Sequence, residues 1–354
     1  MTSKHGLWSA LFAGLLALGA AVAPALARAE DKPRVIRVAN PGVGIGGRPV
    51  VAYGAWSLVH IQGLLEKEFK PDGISVEWTF ARGAGPAVNE LFSNDLADIT
   101  LLGDLPSIIG KAGGLKTRLL AAAGLNNLYL AVPADSPARE IKDLVGKKIA
   151  VFKGTCVHLA ANRILQSQGL AEKDVRSINM DQVTTLAALN TGDVDAALAG
   201  PELLSLQDRG AARIIYSTKG DPRFTCNSSI VASDDFVRKY PSIVKRILRV
   251  YVQAAAWVTR SEADPNEVFQ LFTRSGIPYS SFKSDWGGEQ FAVKVSPKVD
   301  AYLRKRYESS IQDAYKFHLI RQPFDFNSWV DSSFLDQVLE EQQLAGVWPA
   351  RQPL

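Results

Sequence analysis

The stretch KKIAVFKGTCVHLAANRILQSQG, residues 147–169, carries the pattern that decides the fold. Residues 148–152 form a short apolar run with Ile and Val, which predicts a strand. From Cys156 onward the apolar residues recur every three or four positions, which predicts a helix that ends at Gly169. Thr155 stands where a helix N-cap is expected. The unit is therefore read as strand, glycine turn and helix.

The helix start in this stretch has a composition that favours an anion. Its first turn, residues 156–159, contains no carboxylate, although Asp and Glu are common there. The first N–H groups of a helix have no partner inside the helix, so they can bind a negatively charged group. An ordinary βα unit with a threonine cap would have the same sequence. This stretch alone therefore leaves both interpretations open, an anion site and a purely structural unit.

The first 29 residues are typical of an export signal. Lys4 and His5 precede the apolar run 7–23, and small residues around Ala27 and Ala29 fit a cleavage site just before Glu30. The alternative is a membrane anchor, but the run is short for a span and lacks a positive flank after it. We predict a periplasmic protein that begins at residue 30.

Bulk composition excludes some partners. Cleavage removes two basic residues and no acidic one, so the net charge of the remaining chain falls from +4 to +2. A charge this small and dispersed does not favour nucleic acid. About 325 residues remain, which is enough for two lobes. The histidines lack metal-ligand spacing, and neither a metal nor a cofactor is expected.

The two cysteines, Cys156 and Cys226, leave two possibilities open. An oxidising compartment permits a disulfide between them, and two separate buried thiols are the alternative. The chain has no Cys-x-x-Cys pair, and His158 does not share a helix face with Cys156, so a catalytic cysteine is not expected.

The rest of the chain alternates strands and helices. Strand 34–40 leads into PGVGIGG at 41–47 and a predicted helix from Pro49 to about residue 69. The letters match G-x-G-x-x-G, but the acidic residue that a dinucleotide site needs is misplaced, so a loop that approaches a small anion is the better interpretation. The last third is predicted to be helical, apart from an irregular segment at 276–288.

A short sequence pattern occurs twice, once in each half of the chain. Residues 88–100 and 186–197 each read as a helix, a short turn with aspartate, and a strand. Each strand then runs into a glycine at a helix start, Gly103 or Gly200. Two similar α/β lobes with parallel-type sheets follow, with several helix starts facing one crevice.

Four motifs together resemble a known family: GDLPS at 103–107, DLVGKKIAVFKGT at 143–155, GDVDAAL at 192–198 and Pro-Glu at 201–202. With the export signal, their order is similar to that of periplasmic solute-binding components of ABC importers, in the aliphatic sulfonate, taurine and nitrate group. The resemblance implies a two-lobed type II periplasmic binding fold with two crossover strands and no catalysis. Lobe 1 would hold residues 30–132 and 228–354, and lobe 2 residues 133–227.

The resemblance also implies a ligand and a set of contacts. The expected partners are a small organic sulfonate or sulfate ester and a membrane permease, with the receptor itself a monomer. A small residue where relatives carry tryptophan, at Ala199, and a cysteine where they carry a hydroxyl, at Cys156, favour a ligand larger than taurine. The residues carried over are Gly46, Gly47, Arg48, Gly103, Asp104, Thr155, Cys156, Gly200, Asn227, Ser228 and Trp286.

Two other functions remain open from the sequence. The same fold could bind nitrate, an aromatic carboxylate or a thiamin or pyrimidine precursor. An exported enzyme on this fold is the rival from another class, although the chain contains neither G-x-S-x-G nor His-Glu-x-x-His.

Overall fold

The computed structural model describes residues 32–353. The predicted export signal at 1–29 lies outside the described residues. Within 32–353, no helix combines the length and the apolar character needed to cross a membrane.

In the part of the chain that the structure describes, ten strands form two five-stranded sheets. The strands are β1 Val35–Pro41, β2 Ser75–Ala81, β3 Ile99–Gly103, β4 Thr117–Asn126, β5 Tyr129–Pro133, β6 Lys148–Val151, β7 Arg176–Asn179, β8 Ala196–Ala199, β9 Ala212–Ser217 and β10 Cys226–Ser233. The first sheet has the order β2-β1-β3-β10-β4, and the second has the order β7-β6-β8-β5-β9.

Fourteen α-helices flank these sheets within the described residues. They are α1 Ala55–Ile61, α2 Leu64–Phe69, α3 Ala84–Ser93, α4 Asp104–Ala112, α5 Cys156–Ser167, α6 Gln182–Thr191, α7 Leu204–Asp208, α8 Asp234–Lys239, α9 Pro241–Arg260, α10 Asn266–Phe272, α11 Tyr279–Trp286, α12 Phe291–Lys294, α13 Ala301–Lys316 and α14 Ser333–Glu341.

The two sheets repeat one pairing pattern. In the first, β1 pairs in parallel with β2 and β3, while β10 runs antiparallel to β3 and β4. In the second, β6 pairs in parallel with β7 and β8, while β5 runs antiparallel to β8 and β9. The antiparallel strand of the second sheet, β5, comes directly after β4 of the first sheet, and the antiparallel strand of the first sheet, β10, comes directly after β9 of the second. The chain therefore crosses between the sheets twice.

The pattern that occurs twice in the sequence corresponds to a hydrogen bond that also occurs twice in the structure. Asp98 precedes β3 and accepts a hydrogen bond from the backbone N–H of Arg37 at 2.8 Å. Asp195 precedes β8 and accepts one from the backbone N–H of Lys148 at 2.7 Å. In each sheet the aspartate therefore ties the start of one parallel strand to the next.

Strand β5 bears on the predicted lobe boundary. The predicted division puts residues up to 132 in lobe 1, yet β5 pairs with β8 and β9 of the second sheet. If the lobes follow the sheets, the first boundary lies before Tyr129. The division itself stays a prediction.

Two secondary-structure predictions were wrong. The helix expected from Pro49 begins only at Ala55, because residues 50–54 form an irregular segment that lines a cavity, and it breaks at Gly63, whose φ is +60°. The segment 276–288, expected to be irregular, contains α11. Its Phe282 and Trp286 are buried in an aromatic cluster, so tertiary packing stabilises a helix of weak intrinsic pattern.

Candidate functional site: a cavity bordered by three helix starts

A cavity of about 610 Å³ is bordered by both sheets and by the segments that follow their strands. Much of its lining is apolar, including Val50, Leu101, Phe152 and Val183. Polar groups occupy a few positions on the wall. Binding pockets for small molecules combine these features, with an apolar wall for the body of the ligand and a few polar groups that orient it.

Three helices begin next to one another at this cavity. A Cβ added at Gly85 would lie 2.3 Å from Cβ of Pro106, and one at Gly154 would lie 2.9 Å from Cγ of Pro86. Gly103 similarly lies against Cys156, with 3.2 Å between the added Cβ and the Cys156 Cβ. Glycine at these positions therefore lets α3, α4 and α5 approach closely. We call residues 82–86, 103–106 and 154–156 the helix-start cluster.

Two features of the helix-start cluster favour an anion, although α4 carries the buried Asp104 in its first turn. Neither α3 nor α5 has an acidic residue in its first turn, so the partial positive charge of each helix start is not neutralised there. Arg82 adds a full charge: it lines the cavity, and its guanidinium makes neither an ion pair nor a hydrogen bond with any residue in 32–353. The cluster can therefore accept an anion.

The predicted N-cap of α5 is confirmed. Thr155 Oγ1 accepts a hydrogen bond from the Val157 N–H at 3.2 Å, and the same hydroxyl donates to the Phe152 carbonyl at 2.7 Å. The hydroxyl is thus occupied within the protein. Thr155 therefore contributes to the cavity by positioning the start of α5.

Cys156 and Cys226 form a disulfide, with 5.3 Å between their Cα atoms and 70 positions between them in sequence. Of the two alternatives left open by the sequence, the structure contains the bridge. It joins the first residue of α5 to the first residue of β10, so it fixes one member of the helix-start cluster to the first sheet.

Most of the predicted ligand-binding residues border the cavity. Those on its wall are Gly46, Gly47, Gly103, Thr155, Cys156, Gly200, Ser228 and Trp286. Trp286 is only 2% exposed and packs against the rings of Phe269, Phe272 and Phe291, so it is mainly a core residue.

Three predicted residues do not line the cavity. Arg48 donates a hydrogen bond to the Arg274 carbonyl at 3.5 Å. Asn227 is fully buried, and its amide donates to the Thr225 carbonyl at 3.4 Å. In both residues the side chain is bonded to a backbone carbonyl group away from the cavity lining.

Asp104 is the third, and it is a buried member of the helix-start cluster. Its carboxylate accepts hydrogen bonds from the Leu105 N–H at 2.8 Å and the Ser310 hydroxyl at 3.1 Å. Burial raises the pKa of Asp104, and the nearby cations Arg306 and Arg163 oppose that rise. Asp104 is the first residue of α4, whose N-cap position is Gly103, so its side chain does not cap the helix.

The cavity wall also contains Glu202 and Tyr53. Glu202 is 3% exposed, and its Oε1 accepts a hydrogen bond from the Gly200 N–H at 3.0 Å. Burial raises the pKa of Glu202 and also that of Tyr53. We call Tyr53, Gly200 and Glu202 the Glu202 wall.

A second cation on the wall, Lys294, is already neutralised. Its ammonium lies 2.6 Å from the Glu289 carboxylate and 3.4 Å from that of Asp285. Tyr129 and Asn127, next to the first chain crossover, donate hydrogen bonds to Asp285 at 2.7 and 3.0 Å. Lys294 therefore serves a structural network, which leaves Arg82 as the cation that is free to meet a ligand among the described residues on the wall.

Sequence reasoning did not single out Arg82 or Tyr53, and of the Glu202 wall it proposed only Gly200 as a ligand contact. The signal for Arg82 was present, because Arg-Gly-Ala-Gly-Pro at 82–86 directly follows a strand and opens a helix. No sequence signal showed that Arg82 lacks an acidic partner. The described residues contain no group of three or more His, Cys, Asp or Glu that could hold a metal ion.

The two-sheet α/β fold with its crossover strands is that of periplasmic binding proteins, as the comparison with solved structures shows. A family model described as NMT1/THI5 like matches residues 68–267, more than half of the chain, and the chain belongs to this family. The family resemblance and the fold class predicted from the sequence are confirmed.

Three similar proteins illustrate the range of the family and fold. A structure from Methylobacillus flagellatus KT, provisionally named the periplasmic sulfonate-binding protein SsuA of a sulfonate ABC transporter, is 32% identical. It covers 90% of this chain and 98% of its own, with a TM-score of 0.77. A Bacillus subtilis (strain 168) protein, provisionally named an aliphatic sulfonates-binding protein, is 26% identical over 80% of this chain and 85% of its own.

The third is the desulfurization enzyme DSZB, which is 19% identical and has a TM-score of 0.66. The match covers 87% of this chain and 99% of the enzyme. At this identity the likeness concerns the fold alone, so the fold is compatible with both binding proteins and an enzyme.

Proposed function

We propose that this protein is the exported, periplasmic solute receptor of an ABC importer and that it binds an organic sulfonate or sulfate ester in the cavity. The names of its relatives support the class of ligand. The helix-start cluster supports an anionic head group, and the apolar lining supports an organic body attached to it.

The observation that carries this proposal is the unpaired Arg82 beside three helix starts. A sulfonate has three oxygens that accept hydrogen bonds, and guanidinium and backbone N–H groups bind such oxygens well. Lys294 is a weaker candidate for the head group, because binding there would compete with two carboxylates.

The size of the cavity supports a ligand larger than taurine. Cavities of several hundred Å³ accommodate drug-sized molecules, and this one measures about 610 Å³. We therefore propose a longer-chain or aryl sulfonate, or a sulfate ester. A bound structure whose closed cavity fits only taurine would contradict this part of the proposal.

Closure on the ligand would follow from two lobes that hinge at the chain crossovers. The crossovers at 126–129 and 217–226 are the segments where such a hinge would lie, close to the predicted strands 128–132 and 228–232. The closed, monomeric receptor would then dock on its membrane permease.

A thermal-shift panel on residues 30–354 tests the proposal. The protein is first stripped of bound ligand by unfolding and refolding. It is then tested with alkanesulfonates of rising length, arylsulfonates, sulfate esters, taurine, nitrate, sulfate and aromatic carboxylates. A ligand at one hundred times its Kd adds about 2.7 kcal/mol to the free energy of unfolding, which should raise Tm by roughly 5 °C. A rise with nitrate or carboxylates alone would move the function to the other ligand classes.

A second candidate, an exported enzyme that acts on an organosulfur compound, is considered because a desulfurization enzyme shares the fold. Both cysteines of the chain are joined in the disulfide, so neither offers a thiol nucleophile. Incubating the protein with sulfonates and sulfinates and measuring released sulfite distinguishes the two candidates. Catalytic release would support the enzyme, and unchanged ligand after prolonged incubation would support the receptor.

A further inference from the structure

Helix α5 is shared between the apolar cores of the two sheets. It follows β6, and its Ile164 and Leu165 are buried in a core of the second sheet. Leu159, on the same helix, is 1% exposed and packs in a core of the first sheet, which also contains Leu105 of α4 and Tyr307 of α13. Moving α5 away from α4 and α13 would therefore expose apolar surface to water, which is unfavourable.

A buried polar network ties the middle of α5 to α13. Arg163 of α5 is buried, and its Nε donates a hydrogen bond to the Asp313 carboxylate at 2.7 Å. Its Nη2 donates to the Ser310 hydroxyl at 3.2 Å, and that hydroxyl donates to the Asp104 carboxylate of α4 at 3.1 Å. Charge-assisted hydrogen bonds of this kind are stronger than those between neutral groups, so the network resists separation of α5 from α13.

The first residue of α5 is joined covalently to the first sheet. The disulfide between Cys156 and Cys226 links the start of α5 to the start of β10. This bridge keeps the two ends together even when the rest of the second sheet moves. We call the disulfide, the bonds of Arg163 and the packing of Leu159 the α5 tether.

The opposite face of the second sheet is held differently. It is covered by α6 and α7, whose buried Leu189, Leu204 and Leu206 pack in a core formed by the second sheet. Helix α11, which packs on the first sheet, lies beside α7. The Ser280 hydroxyl of α11 donates to the Asp208 carboxylate of α7 at 2.7 Å, and this bond is exposed to solvent. Water can replace either partner of an exposed hydrogen bond at little cost.

We propose that the α5 tether makes the opening of the cavity one-sided. In the ligand-free protein, α5 stays attached to α4, α13 and β10, and the second sheet pivots at α5. The cavity opens at the face of α6 and α7, between these helices on one side and the segment 42–54 and α11 on the other. The ligand enters from this face.

The α5 tether also keeps the helix-start cluster assembled before a ligand arrives. Residues 154–156 of the cluster belong to the start of α5, and residues 82–86 and 103–106 follow strands of the first sheet. Because α5 does not leave the first sheet, the three segments stay together, and a site assembled in advance avoids the cost of ordering it on binding. One-sided opening is a property of the ligand-free protein, so it goes beyond the proposed function and does not depend on the identity of the ligand.

Two pairs of spin labels compare the two faces. Both cysteines of the chain are in the disulfide, so cysteines introduced at exposed positions can be labelled selectively. One pair, Gln166→Cys with Lys305→Cys, connects α5 to α13. The other, Arg209→Cys with Lys283→Cys, connects the end of α7 to α11. Pulsed electron paramagnetic resonance measures each distance in residues 30–354 stripped of bound ligand.

The ligand-free protein should give a narrow distance distribution for the α5–α13 pair and one several ångströms broader for the α7–α11 pair. Octanesulfonate should narrow the second distribution and leave the first unchanged. Equal widths for the two pairs without ligand, whether both are narrow or both broad, would overturn the proposal. The ligand-free comparison needs no bound sulfonate, so a failure of octanesulfonate to bind would count against the proposed function alone.

Removing the α5 tether should abolish the difference between the faces. In Cys156→Ser with Cys226→Ser and Arg163→Gln, the α5–α13 distribution should become as broad as that of the other pair. Arg163→Gln alone, with the disulfide intact, should broaden it less, and decides the question if the triple variant fails to fold by circular dichroism. Arg176→Gln, at an exposed arginine, is the matched control and should leave both distributions unchanged. A folded variant without the tether that keeps the narrow distribution would overturn the proposal.

Discussion

The helix-start cluster and the Glu202 wall border the same cavity, but they present opposite chemistry. The helix-start cluster offers donors, namely the start of α3, which has no side-chain cap, and the unpaired Arg82. The Glu202 wall holds acceptors, with the Glu202 carboxylate buried and two carboxylates nearby. Under the proposed function, this contrast would orient the ligand, with its anionic group at the helix-start cluster and not at the Glu202 wall.

The two regions also differ in how they are held. The disulfide anchors α5 in the helix-start cluster, and Arg163 of the same helix lies 2.7 Å from Asp313 of α13. The Glu202 wall has no covalent tie and depends on Gly200 and buried packing. We expect perturbations of the first region to affect stability and anion affinity together, and perturbations of the second to affect mainly specificity.

The largest expected effect is that of removing the disulfide. Cys156→Ser with Cys226→Ser should lower the free energy of unfolding by about 4 kcal/mol, since the bridge closes a long loop in the unfolded chain. Urea denaturation of the variant and of reduced wild type measures this, and both should agree. A loss below about 1 kcal/mol would mean that the bridge does not constrain the helix-start cluster or the unfolded chain as described.

Arg82→Gln is expected to weaken sulfonate binding by roughly 10- to 100-fold, because it removes a charge-assisted hydrogen bond. Its Tm should change little, because Arg82 is exposed and unpaired. Arg176→Gln, at an exposed arginine away from the cavity wall, is the matched control and should bind like wild type. Unchanged affinity in Arg82→Gln would remove the main support for the anion site.

How far the sequence predicts the fold can be judged from single residues. The N-cap at Thr155 was readable because its contact lies within a few positions, and the repeated helix, turn and strand were readable from the pattern. The bonds that Asp98 and Asp195 accept from Arg37 and Lys148 were not predicted, because those partners are distant in sequence. The contact of Gly85 with Pro106 was not readable, since it depends on how two βα units pack. Sequence is equally unable to show whether a cation has an acidic partner. Arg82 and Lys294 are both basic residues in the sequence, and only the tertiary structure shows that Lys294 is paired and Arg82 is not.

The helix cap should matter less than Arg82 for binding and more for stability. Thr155→Ala is expected to cost about 1 kcal/mol of stability through loss of the N-cap. Thr155→Ser, which keeps the hydroxyl, should recover most of that loss. Sulfonate affinity should stay within about threefold in both, because the hydroxyl bonds to Phe152 and Val157 and not to the ligand. A large loss of affinity with Thr155→Ser would contradict this assignment.

The smallest expected effect is the change in Tm with pH when either of two glutamates, Glu172 or Glu202, is replaced by glutamine. Burial alone would raise the pKa of Glu172, but hydrogen bonds and charges from Lys153 and His158 outweigh it and lower the pKa to about 2. The ionised form therefore stabilises the protein at neutral pH, and this stabilisation is lost as the pH falls from the ordinary glutamate value toward 2. Glu172→Gln should lower Tm at pH 7, with the difference shrinking at acidic pH.

Glu202 should behave in the opposite way in the ligand-free protein. Because burial raises its pKa, its ionisation costs stability as the pH rises above the unfolded-state value. Glu202→Gln should therefore match or exceed the wild-type Tm at pH 7, and the difference should vanish at acidic pH. Tm measured across this pH range for both variants checks the pair. A marked loss of Tm in Glu202→Gln at pH 7 would indicate a structural role for the carboxylate.

The most direct test of the central claim is a crystal structure of residues 30–354 with a bound alkanesulfonate long enough to order its chain. The account predicts the sulfonate oxygens within hydrogen-bond distance of the Arg82 guanidinium and of backbone N–H groups in the helix-start cluster, with the chain along the apolar wall. A sulfonate bound at Lys294, or one that makes no contact with Arg82, would contradict it.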